Sequence, residues 1–254
     1  MKLVLLRHGE SQWNLENRFT GWTDVDLTNN GIDEANFAAN QILKSNIEVY
    51  SIYTSILKRA NRTANIVADI LKFDKNEIKY DWRLNERHYG ALQGLNKSET
   101  ASKYGEDQVK IWRRSFDTPP PSLDYNDKRH PRFIKKFSFI DKDSLPTGES
   151  LKMVISRLIP FWEEYFNFIT DKQKSHLIVA HSNSLRAIVK ILDKLSNDEI
   201  MTVNIPTGIP LLYEFDKNNN VLKKQFLIDN DELQRKQDLV IQQGKAQWIS
   251  IFKT

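Results

Sequence analysis

The sequence predicts an α/β fold of three layers, in which a mainly parallel sheet is flanked by helices. Short apolar runs typical of buried strands alternate along the chain with longer stretches whose apolar residues recur at helical spacing. The length of 254 residues corresponds to one large domain or two small ones, and no repeat or linker-like stretch divides the chain. We therefore expect a single domain over residues 1–254.

The elements follow from these patterns in chain order. The expected strands lie near residues 2–7, 50–54, 78–82, 176–181 and 210–215. The expected helices lie near residues 29–45, 57–72, 149–169, 184–194 and 230–243. The second helix shows the period clearly, because its apolar positions fall on one face: Leu57, Ala60, Ala64, Val67 and Leu71. Residues 115–148 hold five of the eight prolines and predict a long irregular segment.

Composition excludes several classes of protein. The chain has no cysteine, which excludes a disulfide framework, a thiolate zinc site, an iron–sulfur cluster and a cysteine nucleophile. The first apolar run, Leu3 to Leu6, is too short for a signal peptide or a membrane span, so we expect a cytoplasmic protein with no membrane partner. The net charge of +4 suits a small anionic substrate as well as it suits nucleic acid.

Two apolar strand runs end in the same way. Residues 3–6 lead into Arg7 and His8, and residues 177–180 lead into His181. In an open α/β sheet, ligands bind beyond the carboxyl ends of the strands. Two histidines at the ends of neighbouring strands would therefore face each other across one crevice.

Two further residues are expected at the same edge of the sheet. Arg59 opens the helix after the second strand, and Glu86 follows the third strand. Guanidinium groups bind phosphate oxygens in pairs, a neutral imidazole nitrogen is a nucleophile near pH 7, and a carboxyl group can exchange a proton. No cluster of aspartates accompanies them, so the set suits phosphoryl transfer without a metal ion.

Longer motifs extend this pattern. They read R-H-G-E at residues 7–10, N-R-F-T-G-W at 17–22, L-K-R-A at 57–60, E-R-H-Y-G-A-L-Q-G-L-N-K at 86–97, W-R-R-S-F-D at 112–117 and N-I-P-T-G-I-P at 204–210. In this order and at this spacing they resemble the cofactor-dependent phosphoglycerate mutases of the histidine phosphatase superfamily, over residues 1 to about 245.

The resemblance implies an isomerase of glycolysis and gluconeogenesis that interconverts 3-phosphoglycerate and 2-phosphoglycerate, primed by 2,3-bisphosphoglycerate and working without metal. It implies that His8 carries the phosphoryl group, that Glu86 exchanges the proton of the substrate hydroxyl, and that Arg7, Arg59 and His181 complete the catalytic set, with Asn14 beside them. The implied substrate-binding residues are Arg7, His8, Gly9, Glu10, Ser11, Gln12, Trp13, Asn14, Thr20, Gly21, Arg59, Glu86, Arg87, His88, Tyr89, Lys97, Arg113, Arg114, Ser182 and Asn183.

The resemblance also implies a cover segment near residues 87–148, a C-terminal tail near residues 230–254 and a homo-oligomer, either a dimer or a tetramer. Two features depart from the family pattern. Ser182 stands where the family usually has glycine, so it is either strained by a positive φ or able to add a hydroxyl donor. Residues 247–252 are apolar, with Gly244 as a candidate hinge, and three expectations stay open for them: that they dock over the site, mediate assembly or stay disordered.

Four alternatives stay open at this point. A bisphosphoglycerate synthase or phosphatase on the same scaffold is disfavoured by Ser11, Thr20 and Gly21, which match the mutases. A sugar-bisphosphatase or broad phosphatase would lack the long segment that carries Lys97 and two arginines. A catalytically silent scaffold is disfavoured because every catalytic position is occupied by the family residue. A nucleic-acid partner rests only on the mild positive charge.

Overall fold

The computed structural model describes residues 1–169, 174–243 and 245–246, without the side chains of 166–169, and six strands among them form one sheet. Gly244 and residues 247–252, where a hinge and an apolar tail are expected, lie outside the described residues. The strands are β1 (Lys2–Arg7), β2 (Val49–Thr54), β3 (Lys79–Tyr80), β4 (Ser175–Ala180), β5 (Pro210–Phe215) and β6 (Val221–Phe226). Their order across the sheet is β3-β2-β4-β1-β5-β6.

The prediction of a mainly parallel sheet is confirmed, with one difference at the edge. Strands β3, β2, β4 and β1 pair in parallel, whereas β5 runs antiparallel to β1 and β6 runs antiparallel to β5. The third strand is shorter than expected, and β6 was not predicted. Because β6 is an edge strand with exposed lysines at 223 and 224, it lacks the apolar run that marks a buried strand.

The five expected helices are present, each within a few residues of its predicted bounds. Four short helices, at Gln12–Leu15, Lys97–Tyr104, Glu106–Arg114 and Glu199–Thr202, were not predicted because they span only one to three turns. The helices are α1 (Gln12–Leu15), α2 (Asn29–Lys44), α3 (Lys58–Leu71), α4 (Lys97–Tyr104), α5 (Glu106–Arg114), α6 (Leu151–Ile169), α7 (Ser182–Leu192), α8 (Glu199–Thr202) and α9 (Asn230–Gln242). In the described ranges, no helix has the length and apolar character needed to span a membrane.

The three layers follow from the alternation of side chains along the strands. In β1, Leu3 and Leu5 are buried on the face covered by α6 and α7, whereas Val4 and Leu6 are buried on the face covered by α2 and α3. Each face therefore has its own apolar core, and the sheet is enclosed on both sides. Residues 115–148 are irregular as predicted, with three short 3-10 turns.

The topology brings the ends of three strands together. Strand β4 lies between β1 and β2 and runs parallel to both, with Arg7 opposite Ala180. The residues that directly follow these strands are His8, Ser55 and His181. They therefore meet at one edge of the sheet, where ligands bind in open α/β folds.

Candidate active site

The imidazole of His8 is buried and is held by two neighbours. Its Nδ1 lies 2.7 Å from the carbonyl oxygen of Gly9, and its Nε2 lies 3.2 Å from the Nε of Arg59. A carbonyl accepts a hydrogen bond and a guanidinium N–H donates one, so the ring proton belongs on Nδ1 and the lone pair on Nε2. Nε2 is therefore the nitrogen available as a nucleophile.

Gly9 permits the close contact between this loop and α2. A Cβ at Gly9 would lie 2.0 Å from the carbonyl oxygen of Gly31, which no side-chain carbon can tolerate. The backbone N–H of Gly9 also donates to the hydroxyl of Thr63 at 3.1 Å. The carbonyl that orients His8 is thus fixed in place by packing and by a hydrogen bond.

His181 lies beside His8, with the two ring centroids 4.9 Å apart and the rings edge to face. Its Nε2 lies 2.7 Å from the hydroxyl of Ser55, and its buried Nδ1 has no partner among the described residues. Burial and the positive charge of Arg59 hold the pKa of both histidines well below their ordinary value. Both rings are therefore neutral near pH 7.

Arg59 ties the histidine pair to the first loop. Besides its contact with His8, its Nη1 and Nη2 donate to the carbonyls of Thr23 and Gly21, each at 2.9 Å. Burial lowers the pKa of Arg59 to about 10, while the carboxylate of Glu86 opposes this effect. Arg59 thus stays charged at neutral pH and is held rigidly by three bonds.

Glu86 presents one free carboxylate oxygen to the site. Its Oε1 accepts from the backbone N–H of Arg87 at 2.8 Å, and from the backbone N–H and side-chain amide of Asn183 at 3.1 and 2.9 Å. Its Oε2 makes no protein hydrogen bond among the described residues. Because Glu86 lines the cavity, Oε2 is the oxygen that can exchange a proton with a bound molecule.

A narrow cavity of about 50 Å³ opens at this edge of the sheet. Eleven of the sequence-predicted residues line it, together with three that were not predicted. The predicted ones are Arg7, Asn14, Thr20, Gly21, Glu86, Tyr89, Lys97, Arg113, Arg114, Ser182 and Asn183, and the others are Arg18, Val240 and Gln243.

The lining carries a surplus of positive charge. Burial lowers the pKa of Lys97, Arg113 and Arg114, and neighbouring arginines lower it further. Glu86 is the one carboxylate among the residues that line the cavity. Because enclosing like charges without counter-ions costs free energy, the cavity favours a ligand with several negative charges.

The end of α9 covers the cavity. The Nζ of Lys97 donates to the side-chain oxygen of Gln243 at 3.2 Å, and Nη2 of Arg113 lies 3.5 Å from the carbonyl oxygen of Val240. These contacts join the cover segment to the C-terminal helix above the charged cluster.

The remaining predicted residues do not line the cavity. His8, His181 and Arg59 are not in the lining. His8 follows Arg7 and His181 precedes Ser182, both of which line the cavity, and Arg59 donates to the carbonyl of Gly21 in the lining. The others that do not line it are Gly9, Glu10, Ser11, Gln12, Trp13, Arg87 and His88.

Three of these residues have quite different surroundings. Ser11 donates its hydroxyl to Oδ1 of Asn14 at 2.8 Å and so orients a lining residue. Gln12 is exposed on α1. His88 is buried against Trp22, and burial lowers its pKa to about 3.

The backbone conformation of Ser182 decides between the two expectations for this residue, which were strain from a positive φ and an added hydroxyl donor. It is the first residue of α7 and is not among the residues with positive φ, so serine fits the backbone without strain. Its side chain lies at the cavity. The second alternative, an added hydroxyl donor, is the one that this geometry allows.

Sequence reasoning also missed two buried residues behind the lining. Arg186 lies one turn after Asn183 on α7. Its guanidinium donates to Oδ1 of Asn183 at 2.9 Å and to the carbonyl of Ile200 at 2.7 Å. Ser55 contacts His181 as described above. The signal for Ser55 was available, because it follows a strand just as both histidines do.

Comparisons with known proteins identify the family of this chain. The sequence profile of the histidine phosphatase superfamily (branch 1) matches residues 3–126 and 122–227. A protein of Treponema denticola named 2,3-bisphosphoglycerate-dependent phosphoglycerate mutase is 51% identical over 245 residues, which cover 96% of this chain and 99% of that protein. A protein of Borreliella afzelii with the same name is also 51% identical, over 96% of this chain and 98% of its own length.

Solved structures with low sequence identity share the fold. A mycobacterial glucosyl-3-phosphoglycerate phosphatase aligns with a TM-score of 0.68 at 21% identity, covering 90% of this chain and 98% of that chain. The three-layer fold and the expected family are therefore confirmed. The chain belongs to the histidine phosphatase superfamily, and within it to the family of the 2,3-bisphosphoglycerate-dependent phosphoglycerate mutases.

Proposed function

We propose that the protein interconverts 3-phosphoglycerate and 2-phosphoglycerate through a phosphohistidine at His8, primed by 2,3-bisphosphoglycerate, as an isomerase of glycolysis and gluconeogenesis. Two relatives at 51% identity carry the name of this activity, and their alignments span nearly the whole chain. One arrangement in the structure carries the proposal. Nε2 of a buried neutral histidine contacts Arg59, and Arg59 donates to the carbonyl of Gly21 in the lining of a cavity that holds several cations and a single carboxylate.

In the priming step, Nε2 of His8 attacks a phosphorus atom of 2,3-bisphosphoglycerate. The P–N bond forms as the P–O bond breaks, and the departing oxygen takes a proton from the carboxyl group of Glu86. Arg59 lies at 3.2 Å from Nε2 and can stabilise charge on the transferring group. The reverse step returns the phosphoryl group to a hydroxyl, whose proton passes to Glu86.

Isomerisation requires that the same group be returned to a different hydroxyl. The ligand must then be held firmly at its far end while either hydroxyl approaches His8. Lys97, Arg113 and Arg114 line the cavity and can pair with the carboxylate and second phosphate of a bisphosphorylated acid. This set of cations supports a mutase over a phosphatase that recognises a single phosphate.

The chemistry assigned to these residues needs no metal ion. Arginine, lysine and neutral histidine groups supply the charge stabilisation and the nucleophile, and Glu86 supplies the proton. We include metal independence in the proposal on this ground, and a chelator tests it.

The test is the conversion of 3-phosphoglycerate to 2-phosphoglycerate in excess chelator, with and without catalytic 2,3-bisphosphoglycerate, alongside a His8→Ala variant whose folding is checked by its unfolding curve. We expect chelator-resistant activity that rises with the bisphosphate and is lost in the variant. Release of phosphate without isomerisation would move the assignment to a phosphatase. Loss of activity in chelator alone would overturn metal independence.

Two expectations from the family resemblance stay predictions beside this proposal. They are a cytoplasmic location and assembly into a dimer or tetramer. Sedimentation of the purified protein at micromolar concentration tests the second directly.

A further inference from the structure

Arg186 is a buried cation that the reaction steps proposed above do not use. It lies on α7, and its side chain is fully buried. Burial lowers its pKa to about 10, so the guanidinium stays charged at neutral pH. Its hydrogen-bond partners among the described residues are carbonyl and amide oxygens, and none of them belongs to an acid. A buried cation without an acidic partner costs free energy, so its presence in the fold calls for a reason.

The guanidinium of Arg186 donates to three elements of the fold. Its Nη2 donates to the carbonyl of Ile200 at 2.7 Å and lies 3.4 Å from the carbonyl of Arg114, while its Nε is buried and has no partner among the described residues. These two carbonyls hold the group between α5 and α8. Its Nη1 donates to Oδ1 of Asn183 at 2.9 Å, and Asn183 lines the cavity.

Asn183 connects this cation to the carboxylate of Glu86. A guanidinium can only donate, so the side-chain oxygen of Asn183 faces Arg186 and its amide nitrogen faces the other way. Nδ2 of Asn183 donates to Oε1 of Glu86 at 2.9 Å and to the hydroxyl of Tyr89 at 3.3 Å. Because an ionised carboxylate can only accept, the partners at both ends of the amide require the same orientation.

Loss of Arg186 would leave Oδ1 of Asn183 without a partner among the described residues. Asn183 lines a cavity that suits an anionic ligand, whose oxygens would compete with Glu86 for the Nδ2 donor. An amide that is held at one end only can turn towards that ligand. Oε1 of Glu86 would then keep only the backbone N–H groups of Arg87 and Asn183 as donors.

We propose that Arg186 is a positioning residue that holds the side-chain amide of Asn183 against Oε1 of Glu86, so that Oε2 is the oxygen left free to exchange a proton with the substrate hydroxyl. The inference rests on the function proposed above and adds a residue to its machinery. Arg186 is not in the lining of the cavity and acts on the reaction through Asn183. This role accounts for a buried cation that has no acidic partner.

The test compares the effect of Arg186→Met in two backgrounds, the wild type and Asn183→Ala, with each variant's folding checked by its urea unfolding curve. In the wild type we expect kcat for isomerisation to fall about tenfold to a hundredfold with KM within about threefold, because a misplaced proton donor slows the chemical step more than it weakens binding. In Asn183→Ala, which already lacks the amide, the same change should lower kcat by less than about twofold. A residue that only stabilises the fold would lower kcat by the same factor in both.

The side-chain amide protons of Asn183 report the same contact without any reaction. They are identified in NMR spectra by their absence from Asn183→Ala. Because Nδ2 donates to two acceptors, we expect these protons to exchange slowly with water in the ligand-free wild type. In Arg186→Met their exchange should be at least about tenfold faster.

Lys190 provides a matched control on the same helix. It lies about one turn after Arg186, and its Nζ donates to the carbonyl of Leu195 at 2.5 Å. Lys190→Met therefore also removes a cation and a hydrogen bond to a carbonyl, but none to a residue that lines the cavity. Its kcat should stay within about twofold of the wild type, and the exchange of the Asn183 amide protons should not change.

Three results would overturn the proposal. One is a folded Arg186→Met enzyme with unchanged kcat, and another is an equal fall in kcat in both backgrounds. The third is an Asn183→Ala enzyme with unchanged kcat, which decides the matter even if Arg186→Met does not fold. If the wild type fails to isomerise phosphoglycerates, the proposed function falls, whereas amide exchange still decides whether Arg186 holds Asn183 in place.

Discussion

At the scale of single residues, the site depends on hydrogen bonds that hold the side chains of His8 and Glu86 in one orientation. His8 is oriented by the carbonyl of Gly9 on one side and by Arg59 on the other. Glu86 has three donors on one oxygen and none on the other. Charged and polar groups are thus in position before the reaction begins. Stabilisation of the transition state by groups positioned in this way is the main source of catalysis in phosphoryl transfer.

Arg59 gives the clearest prediction at this scale. Arg59→Gln removes the donor at Nε2 of His8, and we expect kcat/KM to fall by about a hundredfold to a thousandfold, as for the loss of one preorganised donor. Steady-state kinetics of the isomerisation measures this. Arg62→Gln is the control, because Arg62 lies on the same helix but pairs with Asp26 near the surface. Its effect should stay within about twofold, and a similar loss in both variants would contradict the role of Arg59.

At the scale of elements, separate parts of the fold each contribute to the site. The loops after β1 and β4 supply the histidines, α5 supplies two arginines, and the end of α9 closes the cavity. The two histidines could be predicted from sequence because each follows an apolar run that marks a buried strand. Because β1 and β4 are parallel neighbours in the sheet, the histidines that follow them lie side by side.

Other parts of the site could not be predicted in this way. Val240 and Gln243 contact Arg113 and Lys97, which are more than a hundred residues away in sequence, and no local sequence pattern specifies such contacts. Lys97 and the arginines of α5 were assigned through the family resemblance, because a basic pair on a short helix normally indicates a solvated surface. The structure brings all three to the cavity.

Removing a positive charge from α5 should raise the stability of the ligand-free protein and weaken its binding of the anionic ligand. Arg114 is crowded by Arg186 and Arg113, which together with burial hold its pKa well below the ordinary value. Arg114→Met should therefore raise the free energy of unfolding of the ligand-free protein, by up to about 1 kcal/mol after screening. The same change should weaken binding of 2,3-bisphosphoglycerate.

Urea unfolding with and without 2,3-bisphosphoglycerate measures both effects. Lys110→Met is the control, because Lys110 is exposed one turn earlier on α5. It should change neither quantity appreciably. A ligand-free Arg114→Met protein that is less stable than the wild type would show that the arginine is not electrostatically costly in the fold.

At the scale of the whole molecule, several neutral histidines are buried in the fold. Burial lowers the pKa of His88 to about 3 and of His176 to about 4, and it holds those of His8 and His181 well below the ordinary value. In the unfolded chain these groups titrate near pH 6.5. Below that pH the unfolded state binds protons that the folded state does not.

The free energy of unfolding should therefore fall as the pH decreases from about 7 towards 4. The slope is about 1.4 kcal/mol per pH unit for a fully buried histidine such as His88. Urea unfolding of the ligand-free protein at pH 7.5, 6 and 5, followed by tryptophan fluorescence, measures the trend. Stability that is constant or increases on acidification would contradict the neutral state of these rings.

The central claim is that His8 carries the phosphoryl group. The most direct measurement is mass spectrometry of the protein after brief incubation with 2,3-bisphosphoglycerate, with the modified residue located in peptides kept at alkaline pH. The account predicts one acid-labile phosphoryl group on His8 of the wild type and none on His8→Ala. A wild-type protein that isomerises phosphoglycerates without this modification, or that carries it on another residue, would contradict the account.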